Sequence, residues 1–158
     1  YNNINREDGR PYRYTCKSEG YLTGYLSDYA HLIEASIEIY EAGGEEEYYY
    51  VAKRYFEYVK ERFYKPSNGM FSKSEKGSGS HTVPFKRESN IDFVRPSANS
   101  VMAGNLLRLY QITLDNNYLS MAEQQLKNVA PNLMDSGPML SNWAHKILAY
   151  INMRFSSE

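Results

Sequence analysis

Asp28, His31 and Glu34 stand at i, i+3 and i+6, the spacing that sets side chains on neighbouring faces of one helix. A histidine titrates near neutral pH, so His31 could move a proton while a carboxylate orients its ring. The alternative is a buried histidine satisfied by a nearby hydroxyl or carbonyl. Asp28 has two roles open to it. It could act as acid or base, or it could complement the dipole of a first helical turn.

A second polar set lies further along the chain: Arg87, Asp92, Ser97, Asn99 and Ser100. Glycoside hydrolysis needs a paired acid and nucleophile, and Asp28 with Asp92 offers that pair. Arg87 and Asp92 could bind a polar substrate from a loop, or pair with each other for about 0–1 kcal/mol. Ser97, Asn99 and Ser100 could hydrogen-bond a sugar hydroxyl, or cap a helix start. Tyr25 and Tyr29 present flat apolar faces with polar tips. That suits sugar stacking, and it suits a tyrosine-rich helical core equally well. No Gly-x-Ser-x-Gly elbow surrounds a serine, so a serine hydrolase is not supported. His81 and His145 lack ligand spacing, so no metal site is expected. Lys73, Lys76, Lys86 and Arg87 are too sparse for a phosphate cradle. No cofactor is expected.

These groups need elements to hold them. The apolar spacing predicts a buried helix over 25–42, ended by Gly43-Gly44, and an amphipathic helix over 46–64. In the second, Tyr48, Ala52, Tyr55, Phe56, Val59 and Phe63 form the apolar stripe. Residues 65–95 are predicted as a β-like insertion, with strands at 69–72 and 82–86 around a Gly/Ser loop. Three more helices follow: a buried one from Ser97 to Thr113, an amphipathic one over 118–134, and a last one opening at Pro138. Ahead of them all, 12–16 alternates like a short strand.

Buried and amphipathic helices in alternation suggest an all-α chain of αα-hairpins. They would form part of an (α/α) toroid with a small β-hairpin excursion, as one partial domain over 1–158. A tetratricopeptide-like solenoid is the rival, because Tyr118, Ala122 and Pro131 fit its second helix. The long excursion breaks its period of about 34 residues, which ranks it second.

Composition narrows the partners. The chain has 158 residues and a net charge of -1, with 16 tyrosines and the single cysteine Cys16. The length suffices for one domain with a core. No basic stripe is present, so nucleic acid is an unfavourable partner. A mean hydropathy of -0.65 and the lack of a long apolar run argue against a membrane span. One cysteine fits a reduced, cytoplasmic setting. The chain opens on Tyr1-Asn2-Asn3 with neither an initiator Met nor a signal pattern, and we expect a piece of a longer protein.

Several spaced motifs occur in one order: Asp8-Gly9-Arg10, then Tyr25-Leu26-Ser27-Asp28-Tyr29-Ala30-His31-Leu32-Ile33-Glu34, then Gly69-Met70-Phe71, Arg87, Asp92 and Pro96-Ser97-Ala98-Asn99-Ser100-Val101. Together they resemble the YyaL and spermatogenesis-associated family of thioredoxin-domain proteins over most of the chain. The resemblance implies an (α/α)6 toroid of the six-hairpin glycosidase type, carried behind a thioredoxin-like domain. His31-Leu32-Ile33-Glu34-Ala35 is also similar to a pocket-lining segment of sugar epimerases. Three residues depart from the family pattern: Ser27 for an Asp, Ala98 for a Gly or Ser, and His31 for a Phe. The thioredoxin-like domain and the early toroid hairpins are missing, so fewer than half of the toroid helices are here.

The expectation is therefore a carbohydrate-active type of domain. Its catalytic candidates are Asp28, His31 and Asp92; Tyr25, Tyr29, Arg87, Ser97 and Asn99 would bind substrate. The expected partners are a saccharide and the remainder of the parent chain, or a second copy in a homo-oligomer. The rival is a non-catalytic helical module that binds a protein or supports a redox domain. A polar, accessible site favours the first; Asp28 and Asn99 locked into helix caps favour the second.

Overall fold

A computed structural model describes residues 11–16, 19–75, 90–92 and 94–155. They are mostly α-helical with small β-hairpins, the class expected from the apolar spacing. The chain divides into two compact units. One comprises Tyr1–Phe63 and Ser72–Thr82, the other Tyr64–Phe71 and Val83–Glu158.

The first unit begins with an antiparallel hairpin of β1 (Tyr12–Cys16) and β2 (Glu19–Thr23), with Tyr14 opposite Tyr21. Only β1 was expected. The aromatic and β-branched residues of Tyr21-Leu22-Thr23 favour a strand, although the run also leads into a helix. Gly24 makes the turn between them. A Cβ there would sit 3.2 Å from the Tyr29 ring and 3.4 Å from Pro11, so only glycine passes without displacing them.

Helix α1 (Leu26–Glu41) follows, and Leu26, Tyr29, Ala30, Ile33 and Ile37 are its buried stripe. It is buried on one face rather than all round, since Ile39 is exposed and Leu32 half-buried. Gly43 at φ +91 ends it, donating its N–H to the Tyr40 carbonyl at 3.1 Å. Helix α2 (Glu46–Phe63) packs back on α1 through Ala52, Tyr55, Phe56, Val59 and Phe63. Tyr48, expected on that stripe, is exposed. Tyr29 is the aromatic centre of this hairpin. Its ring lies 5.2 Å from Tyr58, 5.5 Å from Phe63 and 6.1 Å from Tyr55, with edge-to-face angles to Phe63 and Tyr55. Such pairs add about 1 kcal/mol each beyond the area they bury.

The second unit opens with a tight hairpin of β3 (Tyr64–Lys65) and β4 (Met70–Phe71). The expected strand at 69–72 is thus present, but its partner is β3. The expected partner at 82–86 lies outside the described residues. Asn68 shapes the turn by accepting the Met70 N–H on its own Oδ1 at 3.0 Å. Gly69 has φ +69, and a Cβ on it would collide with the Gln124 side chain. Both facts reserve the position for glycine.

Helix α3 (Ala98–Thr113) is buried continuously from Asn99 to Leu107, as the apolar spacing predicts. Helix α4 (Asn116–Val129) packs against it and is capped by Asp115, whose Oδ1 accepts the Asn117 N–H at 2.9 Å. The expected single helix over 118–134 breaks after Val129. Pro131 lacks an N–H and its ring opposes a regular α-turn. The chain instead makes a 3-10 turn (Ala130–Asn132), a short α5 (Leu133–Ser136) and a second 3-10 turn (Gly137–Leu140) before α6 (Ser141–Phe155). Pro138 therefore opens a turn, and the helix itself begins three residues later.

Met70, Ala103, Leu126, Val129, Leu140 and Trp143 form the core of this unit, with Leu133, Ile147 and Tyr150 at its edge. One buried residue disagrees with its surroundings. Gln125 is fully buried on α4, and among the described residues neither its Oε1 nor its Nε2 has a hydrogen-bond partner. An unsatisfied buried amide costs roughly 1–3 kcal/mol, so Gln125→Leu is expected to raise stability by about 1 kcal/mol in urea unfolding.

Between α4 and α6, the Tyr150 hydroxyl donates to Glu123 Oε1 at 2.6 Å. That bond holds the Glu123 carboxyl below its ordinary range, with help from Lys127 and against the opposing effect of burial. It also raises the Tyr150 hydroxyl, whose proton the carboxylate retains. A lowered carboxyl stabilises the fold above its unfolded value, and the contribution fades as pH falls through the folded one. A raised tyrosine contributes below its unfolded value and is lost as pH rises through the folded one. Tyr150→Phe is therefore expected to cost about 1 kcal/mol at neutral pH, and thermal melts should show the deficit shrinking at both acid and strongly alkaline pH.

Candidate functional site

Asp92 gathers hydrogen bonds from two helix starts of the second unit. Its Oδ1 accepts the Ser97 N–H at 2.8 Å and stands 2.9 Å from the Ser100 hydroxyl. Its Oδ2 accepts the N–H groups of Asn142 at 2.9 Å and Trp143 at 3.3 Å. The first pair belongs to the start of α3 and the second to the start of α6. A helix start leaves N–H groups without partners inside the helix, and a carboxylate satisfies them while opposing the positive end of the dipole. One buried carboxylate thus caps two helices.

The neighbours complete the network. Ser97 is the N-cap of α3, and its hydroxyl accepts the Ser100 N–H at 3.2 Å. The Asn142 amide donates to the Ser100 hydroxyl oxygen at 2.7 Å. Trp143 is fully buried and donates its indole N–H to the Asn90 carbonyl at 2.7 Å. Asn99 is buried on the first turn of α3. Its Oδ1 accepts the Phe71 N–H at 2.9 Å, and its Nδ2 donates to the Phe71 carbonyl at 3.1 Å. The side-chain amide thereby pairs with β4 as a further strand would. Arg87 lies outside the described residues.

In the first unit, Asp28 is half-buried and its Oδ2 accepts the Tyr25 N–H at 2.8 Å, closing the start of α1. Lys73 places its ammonium 5.6 Å from the centre of the Tyr25 ring, and its carbonyl accepts the Leu26 N–H at 2.9 Å. Tyr29 is sequestered in the aromatic cluster. His31 is exposed rather than buried, and its Nδ1 lies 3.1 Å from Glu34 Oε2. A carboxylate therefore orients that imidazole, as the i, i+3 spacing allows.

Asn142 and Trp143 were missed as members of the Asp92 network. The available signal was Ser141-Asn142 ahead of an apolar run, a helix-start pattern that Pro138 obscured. Among the described residues, no group of three or more His, Cys, Asp and Glu could hold a metal ion. No helix among them is long and apolar enough to cross a membrane.

Spermatogenesis-associated protein 20 of Mus musculus is 36% identical over 90 residues, covering 57% of this chain and 11% of that protein. The Homo sapiens protein of the same name is 35% identical over 92 residues, with the same coverage. Over part of its length, this chain is homologous to spermatogenesis-associated protein 20. An uncharacterised protein of Caenorhabditis elegans is 30% identical over 112 residues, 71% of this chain and 15% of that protein. No family model matches, and no solved structure does. The chain spans only about 11% of the length of the mammalian relatives, so homology to spermatogenesis-associated protein 20 concerns a short stretch of it.

The Asp92 network carries a direct test. Asp92→Ala strands the Ser97, Asn142 and Trp143 N–H groups at two helix starts, while the Ser100 hydroxyl keeps the Ser97 carbonyl at 2.8 Å, and is expected to cost roughly 3 kcal/mol. Asp92→Asn keeps one acceptor but turns an N–H2 group against the other pair of donors, and should cost about half as much. Urea unfolding of the two variants beside the parent measures the difference.

Proposed function

We propose that this chain is a non-catalytic helical module of a longer protein related to spermatogenesis-associated protein 20. It would support the remainder of such a protein, including a thioredoxin-like domain, in a reducing cytoplasmic setting. Its two αα-hairpins each join a more apolar helix to an amphipathic one, which is the repeating unit of an (α/α)6 toroid. The observation that carries this reading is the use made of the polar side chains. Asp28 accepts the Tyr25 N–H, Asp92 caps α3 and α6, and Asn99 pairs with both backbone groups of Phe71. A general acid or base needs access to the proton it transfers. Asp92 and Asn99 are buried and spend their oxygens on backbone N–H groups.

One observation favours the second reading, a carbohydrate-active domain of the glycosidase or epimerase type. His31 is exposed with Glu34 on its Nδ1, the arrangement of an oriented proton carrier. Fold analogy alone would not decide for it.

Titrating the chain with mono- and disaccharides, read by amide chemical shifts, separates the two. The module reading expects no saturable shift at any residue. A saturable shift centred on His31, abolished in His31→Gln, would overturn it in favour of carbohydrate binding.

A further inference from the structure

Asn68-Gly69 is the only Asn-Gly step in the chain. Asparagine is chemically labile, and a following glycine leaves its amide nitrogen unhindered by a Cβ. The turn between β3 and β4 requires both residues. Asn68 Oδ1 accepts the Met70 N–H at 3.0 Å, a turn that needs a short side-chain oxygen. Gly69 stands at φ +69, and a Cβ there would collide with the Gln124 side chain. The shape of the turn thus imposes a reactive pair on the sequence.

The same geometry restrains the reaction. Asn68 is exposed, so water and base reach its side chain, whereas Gly69 is buried. The attacking group is the Gly69 nitrogen, which must lose its proton, and that N–H donates to the Lys65 carbonyl at 2.8 Å. The Asn68 side chain must swing onto that nitrogen, but its Oδ1 is held by the Met70 N–H. The Asn68 carbonyl is tied as well, since it accepts the Asn128 amide from α4 at 2.6 Å. Three hydrogen bonds oppose the reacting pose. They belong to a hairpin of two residues a side, an element that opens locally at small free-energy cost.

We propose that Asn68 is a site of spontaneous deamidation gated by local opening of the β3–β4 turn. In the open turn the Gly69 nitrogen gives its proton to a base and bonds to Asn68 Cγ. The Cγ–Nδ2 bond breaks, and Nδ2 takes up a proton and leaves as ammonia. Water then opens the cyclic imide. Cleavage at Cγ leaves an aspartate, and cleavage at the main-chain carbonyl leaves an isoaspartate. No oxidant or reductant is needed. The aspartate still offers an oxygen to the Met70 N–H. The isoaspartate adds one atom to the main chain and displaces that acceptor, so the turn cannot reclose as before.

The test holds the chain at mildly alkaline pH and follows the segment containing Asn68 by mass spectrometry, with aspartate and isoaspartate separated by chromatography. A synthetic peptide of Tyr64–Phe71, too short to keep the hairpin, is the reference. The folded chain is expected to react at least about tenfold more slowly than the peptide, which corresponds to about 1.4 kcal/mol of opening. Asn128→Ala, at an exposed position, removes one tie and should speed the reaction about fivefold while keeping the parent's circular dichroism. Tyr150→Phe loosens α6 from α4 without touching the turn and should leave the rate unchanged. Equal rates in the chain and the peptide overturn the proposal. So does an Asn128→Ala chain that reacts no faster than the parent, or that gives no product once the peptide has fully reacted. Equal acceleration by Asn128→Ala and Tyr150→Phe also overturns it, because the gate would then be global unfolding.

Discussion

The buried carboxylate of Asp92 is the constraint on which the second unit depends. It receives N–H groups from the starts of α3 and α6 and so fixes where both helices begin. Placing an ionised carboxylate in a core is costly, and each donor offsets part of that cost. Three backbone donors make the position favourable only while both helices are in place. The capping energy of one helix is thereby conditional on the other. Trp143 adds a second condition, because its backbone reaches Asp92 while its indole N–H reaches Asn90.

Asn99 extends the same logic to the β-hairpin. A two-stranded hairpin of two residues a side is marginal by itself in water. The Asn99 amide gives β4 a donor and an acceptor in the places another strand would. Asn128 gives the turn a further hold by donating to the Asn68 carbonyl at 2.6 Å. Fixed polar groups on two helices thus impose a defined conformation on a segment with little intrinsic stability. These bonds contribute more to uniqueness of structure than to its net free energy, since hydrogen bonding to water is lost when they form.

Much of the fold was legible because apolar periodicity is a local signal. The bounds of α1, α2 and α3 followed from 3–4 spacing and from the glycines at 43 and 44. The break after Val129 was readable in Pro131, but Tyr118, Leu126 and Leu133 kept the helical period running past it. The pairing of β4 with β3 was not legible, since strand pairing is a tertiary choice. The polar site was legible only as a set of residue types. Asp92, Ser97, Asn99 and Ser100 announce a polar junction at a helix start, and the same types serve a cap or a sugar site. What separates the two is whether their oxygens meet backbone N–H groups. For Asp92 two of the three come from residues 142 and 143, fifty and fifty-one positions away.

Among the described residues, Gln125 and α6 depart from the agreement between pattern and environment. Gln125 places an unpaired amide in a core, and α6 places a leucine, an isoleucine and a phenylalanine in water. Natural sequences are locally consistent with their folds, and departures concentrate where a residue answers to something other than the stability of the isolated fold. The two departures differ in kind. Exposed apolar residues scattered over a surface carry little meaning, but Ala144, Leu148, Ile151 and Phe155 keep helical register over nearly the whole of α6. Random exposure would not preserve a period. The side that faces Trp143 accounts for the folding of this unit. On the other side Leu148, Ile151 and Phe155 face water at helical spacing.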